Sequence, residues 1–195
     1  MVEWTFYMSD QENYKCDNFA NESAKTQREW RSGGTQYREL KMIQDDTRRG
    51  KVGEIATKKF LEQEPFNIKD IKLDFDIYPR GKWDEQDFAI GDKIVSIKSI
   101  KWFSNWLLLE TKDILRGDLY DYYILVKISK DYKSGTILGF AKKDEIIQPN
   151  PKTHQLQKGE YIPGTTTILD ASNYCRHSND LHNSLEEWKM LAIGE

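Results

Sequence analysis

The stretch Asp87-Phe-Ala-Ile-Gly-Asp-Lys-Ile-Val-Ser-Ile-Lys98 constrains the fold more than any other. Two short apolar runs flank Gly91-Asp92, a dipeptide suited to a two-residue hairpin turn. The spacing predicts strands over residues 87–90 and 93–100. An isolated hairpin is barely stable in water, so it needs further strands and an apolar layer. The surrounding chain supplies both. Val52, Ile55, Ala56 and Phe60 follow helical spacing and predict a helix over 50–64 that stops before Pro65. The pattern then changes to period two, predicting a strand over 68–78. Residues 122–128 form a strongly apolar run suited to the middle of a sheet. Lys133-Ser134-Gly135 turns into another strand over 136–141.

The flanking regions are less regular. Residues 1–24 are expected to form an arm or a loosely packed first turn. Residues 25–49 read as helical, broken at Ser32-Gly33-Gly34. Residues 101–116 read as helix plus linker, 142–170 as loop, and 179–193 as a final helix. The expected fold is α/β, a central mixed sheet flanked by helices with an N-terminal helical region. One unit is expected to span 1–195, with an arm and helices over 1–49, a core over 50–143 and C-terminal loops and helix over 144–195.

The hairpin also carries chemistry. Ser96 and Lys98 are two apart and share one face of their strand, while Val95 and Ile97 point to the core. A lysine held on a sheet face beside a carboxylate such as Asp87 suits phosphodiester hydrolysis. The carboxylate holds Mg²⁺, which polarises the phosphate and acidifies the attacking water. The lysine stabilises developing negative charge or positions that water. Each residue also has a plainer use, Asp87 as a turn cap and Lys98 as a surface lysine.

This arrangement resembles the PD-(D/E)XK nucleases, whose motif is an acid, a hairpin turn, then acid-x-Lys on the next strand. The resemblance covers residues 50–143 by element order and motif. Gly50-Lys-Val-Gly-Glu54 is similar to the helix that carries a glutamate ahead of the family's core. It implies a restriction-endonuclease-like core and a Mg²⁺-dependent endonuclease acting on double-stranded DNA, most simply a type II restriction enzyme. Asp87 and Glu54 would hold the metal, Lys98 would assist the water, and a two-fold dimer would match a palindromic site.

Ser96 departs from the family pattern, standing where Asp or Glu is usual. Four explanations fit: another acid (Glu85, Asp92 or Glu110) enters the site, Glu54 completes the metal shell, the serine replaces a native acid, or the fold binds DNA without cutting it. A structure-selective nuclease of the junction-resolvase kind is a further alternative. Glu54 lies off the apolar stripe of its helix, which suits a ligand and a solvated residue equally.

The net charge is -3, so binding to nucleic acid has to come from distribution rather than the sum. Residues 25–51 carry eight basic and four acidic side chains, and residues 180–195 carry four acids against one lysine. That asymmetry alone reads as solvated helix faces. With the resemblance, Arg48, Arg49, Lys51 and Lys101 become the expected DNA contacts. Trp102, Phe103 and Trp106 follow Lys101 and read as core packing under a helix, although lysine with aromatics can also grip phosphates and stack bases. Cys175, His177 and His182 lack the paired spacing of a zinc site. With Cys16 and Cys175 as the only cysteines, no membrane-length apolar run and no signal-peptide pattern, a cytoplasmic protein is expected.

Overall fold

A computed structural model describes residues 4–26, 37–79, 88–117, 120–148 and 150–193. The chain begins with β1 (Trp4–Tyr7), α1 (Asp10–Ala24) and α2 (Leu40–Glu62). The expected hairpin follows as β2 (Phe88–Ile90) and β3 (Lys93–Lys101), in register with Phe88 opposite Val95. Next come β4 (Trp106–Glu110), α3 (Thr111–Leu115), β5 (Tyr122–Ile128) and β6 (Ser134–Lys142). The chain closes with α4 (Lys143–Ile147), β7 (Thr153–Leu156), β8 (Asn173–His177), a 3₁₀ turn and α5 (Leu185–Ile193).

The main sheet is mixed, in the order β1-β6-β5-β3-β2. β3 and β5 are parallel, and the other neighbours are antiparallel. Strand alternation gives this sheet two apolar faces. Val95, Ile97, Ile124, Val126 and Ile137 meet Val52, Ile55, Ala56 and Phe60 of α2. On the opposite face Ile100, Tyr123, Leu125 and Leu138 meet Leu107 and Leu109 of β4, Ile114 of α3 and Ile146 of α4. β5 is thus covered on both sides, which explains its unbroken apolar run. β4 belongs to a smaller antiparallel sheet, β4-β8-β7, which forms part of this second layer.

Phe60 ties the ends of the chain together. Its ring centroid lies 5.1 Å from Trp4, 4.9 Å from Phe66 and 4.7 Å from Trp188 of α5. Gly53 lets α2 approach the sheet closely, since a Cβ there would sit 1.9 Å from Ser99 Oγ.

Several expectations change. Of the stretch 1–24, the described residues 4–24 are no loose arm: β1 pairs with β6, and Ser9 and Glu12 form a reciprocal cap on α1. α2 starts ten residues before Gly50 and runs through it without a break. Residues 68–78 are irregular rather than a strand. Ile71, Leu73 and Phe75 do pack on the core, and side chains meet two of the segment's backbone groups. Lys58 Nζ donates to the Ile71 carbonyl at 2.7 Å, and Asp74 accepts from Asp76 N and Tyr78 Oη. Residues 101–116 form a turn, β4 and the short α3, not a helix and linker. The stretch 142–170 contains α4 and β7, and the last helix begins only at Leu185.

Candidate functional site

Lys98 is the sixth residue of β3, beside Leu125 of the central strand β5. Alternation places Ser96 and Lys98 on the face away from α2, because Ile97 packs toward α2 and Ser99 touches Gly53. Ser96 is fully buried and Lys98 half-buried. α3 lies over this face and brings Asp113 within electrostatic reach of Lys98.

The Asp113 carboxyl is pushed up, first by burial and then by the Glu110 carboxylate. Arg116, Lys112 and Lys98 pull against that rise. Arg116 meets Asp113 at 2.6 Å, and Lys112 meets Glu110 at 2.6 Å. Both carboxylates are thus already neutralised by neighbouring cations, which a divalent ion would have to displace. Mg²⁺ needs only one or two carboxylates and keeps several waters, so Glu110 and Asp113 suit it in number and kind. Among the described residues, no group of three or more His, Cys, Asp or Glu side chains converges as a metal cage.

Asp87 and Glu85 lie outside the described residues. The strand that Asp87 precedes is in place, with Phe88 paired to Val95. Glu54 is on α2, across the sheet from Lys98. It accepts from Lys51 Nζ at 2.7 Å, and Lys51 also lies over the rings of Phe19 and Phe75. The structure therefore does not bring Glu54 to Lys98. Asp92 sits in the exposed hairpin turn against Lys93. Of the described acids considered as substitutes for the missing one, Glu110 shares its surroundings with Lys98, through Asp113. A single acid in a five-residue helix, as Asp113 is, carries no sequence signal of its own.

A second grouping lies at the far end of β3, where a cleft of about 410 Å³ opens between α2 and the β5–β6 turn. Lys101, Arg49, Lys41, Lys130, Trp102 and Tyr132 are among its walls, with Glu39, Asp45 and Asp46. Lys101 and Arg49, two of the residues expected to contact DNA, both line this cleft, and Arg49 is ion-paired with Asp46. Arg48 and Lys51 are committed elsewhere. Arg48 pairs with Asp17 of α1 at 2.6 Å and covers the Tyr132 ring, tying α1 to α2. Trp102 and Phe103 are exposed, 52% and 61%, correcting the expectation of core packing. Trp106 alone of the three is buried, on β4.

Cys175 and His177 share one face of β8. Cys175 is buried and its thiol is pushed up to about 12 by burial. His177 packs edge-on against Trp106, while His182 lies between Glu145 and Glu187. Cys16 is likewise free and buried, and burial raises its thiol to about 12. No protein-family model, curated protein or solved structure matches this chain.

Proposed function

We propose that this protein is a Mg²⁺-dependent DNA endonuclease of the PD-(D/E)XK type, with Lys98 at the chemical centre. The observation that carries the reading is the setting of Lys98. It stands on a hairpin strand inside a mixed sheet, on the face that α3 covers, within electrostatic reach of Asp113. The order of elements around it supports the same reading: a long helix on one face, a hairpin, then a strand parallel to the second hairpin strand.

In this proposal Asp87 is the first acid. Glu110 and Asp113 take the part that Ser96 leaves open, and Glu54 serves the α1–α2 packing instead. The bound Mg²⁺ would supply Lewis-acid polarisation of the phosphate and an acidified water. The Lys98 ammonium faces the developing charge on the phosphorane oxygens and stabilises it electrostatically. Lys112 and Arg116 neutralise the acids in the free protein and would exchange with the cation on binding. Cleavage of both strands of a palindromic duplex, as a type II restriction enzyme does, calls for a symmetric dimer.

The test is incubation with unmethylated phage DNA and Mg²⁺, beside EDTA and Asp87→Ala controls. Discrete fragments that vanish in both controls are the expected result. If wild-type protein cuts neither linear duplex nor branched DNA, the nuclease reading fails and a DNA-binding module with this fold replaces it. Ser96→Asp then separates a lapsed enzyme from a pure binder, because only the former gains cleavage. Aspartate is chosen over glutamate because the Ser96 site is closed.

A further inference from the structure

Trp102 and Phe103 occupy an odd place for large aromatics. Ser104 N donates to the Lys101 carbonyl at 2.9 Å, closing a four-residue turn with the two rings at its central positions. Such positions favour Gly, Pro, Asn or Asp for conformational reasons. The fold gains little from the pair, since both rings stand in solvent. Their own geometry is nevertheless ordered: centroids 5.3 Å apart and planes at 89°.

The turn is held from beneath. Asn105 Oδ1 accepts from Lys127 Nζ at 2.5 Å, and the Asn105 carbonyl accepts from Ser178 N at 2.8 Å. Lysines flank the rings, while the acids of the same cleft, Glu39, Asp45 and Asp46, lie on its α2 side, Asp46 already paired with Arg49. Lys130 Nζ lies 5.9 Å from the centre of Trp102, Lys101 precedes it, and Lys41 stands on the facing wall of the cleft. Lys41, Lys101 and Lys130 are solvent-facing, so their ammonium groups are available to phosphates.

We infer that Trp102 and Phe103 are a base-stacking wedge that engages DNA at a step whose bases are unstacked. Lys41, Lys101 and Lys130 hold the flanking phosphates. An aromatic face stacks on any base, and inserting it into intact duplex costs unstacking energy. That cost is smallest where a base is already unpaired. The wedge therefore favours DNA with an extrahelical or unpaired base over perfect duplex. This rests on the nuclease reading but not on its restriction-enzyme form, which cuts perfect duplex: within that reading the wedge favours a structure-selective nuclease.

The experiment measures binding in EDTA, so that no cleavage intervenes. Two duplexes of one sequence are used, one perfect and one with a single unpaired 2-aminopurine. Wild-type protein binds the second about tenfold more tightly and quenches its fluorescence. Trp102→Ala removes both the preference and the quenching, while Trp102→Phe keeps most of each. All three proteins unfold at the same temperature, because Trp102 is exposed. Equal affinity of wild type for both duplexes, or a preference that survives in Trp102→Ala, overturns the wedge while leaving Mg²⁺-dependent cleavage to stand on its own assay. A wild-type dimer that Trp102→Ala converts to monomer with its DNA preference intact also overturns it, making the rings a self-contact. If wild type binds neither duplex at low salt, the wedge falls, and the Mg²⁺ cleavage assay alone decides the nuclease reading.

Discussion

Gly53 and Ser99 show how closely α2 is pressed to β3. A Cβ at position 53 would meet Ser99 Oγ at 1.9 Å and Ser99 Cβ at 3.2 Å. Rotation of the hydroxyl relieves only the first contact. Gly53→Ala is expected to destabilise the protein by about 1–3 kcal/mol, as overpacking usually does. Ser99 Oγ is buried with no hydrogen-bond partner among the described residues. Ser99→Ala should therefore be neutral or stabilising, and should recover part of the Gly53→Ala loss. Urea unfolding of the two single variants and the double variant checks this; strictly additive effects would refute the contact. The sequence made Val95 and Ile97 legible as core residues and placed Ser96 and Lys98 together. It did not disclose Asp113, because a long-range meeting of α3 with β3 leaves no local pattern.

Among the elements, β2, β3, β5 and β6 were legible because hairpin turns and period-two runs coincide with ladders. Residues 68–78 had the period but not the ladder, since Asn67 and Asp70 take positive φ and polar side chains meet two of the segment's backbone groups. The α1 cap is written plainly as Ser9-Asp-Gln-Glu12, but the buried stripe behind it, Cys16, Ala20 and Ala24, is made of small residues that give a weak apolar pattern. The docking of α5 was not legible at all. Gly139, at φ +138°, lets the His182 carbonyl pass where a Cβ would sit 2.6 Å away. His182 then reaches Glu145 at 2.7 Å and Glu187 at 2.5 Å, stacked on Phe140. Burial pushes the Glu187 carboxyl up, but hydrogen bonds from His182 and Ser184 outweigh it and hold it at about 2. A depressed folded value means the stabilisation is complete above the ordinary 4.5 and is lost as pH falls toward 2. Acid titration followed by the fluorescence of the tryptophans, Trp188 of α5 included, should show a transition in that window. Glu187→Gln should flatten it and lower stability at neutral pH, whereas an unchanged acid transition would remove Glu187 as its source.

At the scale of the whole molecule, a net charge of -3 coexists with a local cationic rim. No helix of the described residues is long and apolar enough to cross a membrane. If Lys41, Lys101 and Lys130 each neutralise a phosphate, DNA affinity falls with salt, and each lysine-to-alanine change lowers the logarithmic slope by about one. A slope unaffected by all three would place DNA on another surface. Such a slope concerns binding, whereas the central claim concerns chemistry, and the two sites lie at different points along β3. The most direct measurement is single-turnover cleavage with Mg²⁺ at saturating protein, comparing wild type, Lys98→Ala and Lys101→Ala. The account predicts that Lys98→Ala binds DNA normally yet loses about a hundredfold or more in rate. Lys101→Ala should lose affinity while keeping the bound-state rate. A Lys98→Ala protein that cuts at the wild-type rate would contradict the placement of the chemistry on this face of the sheet.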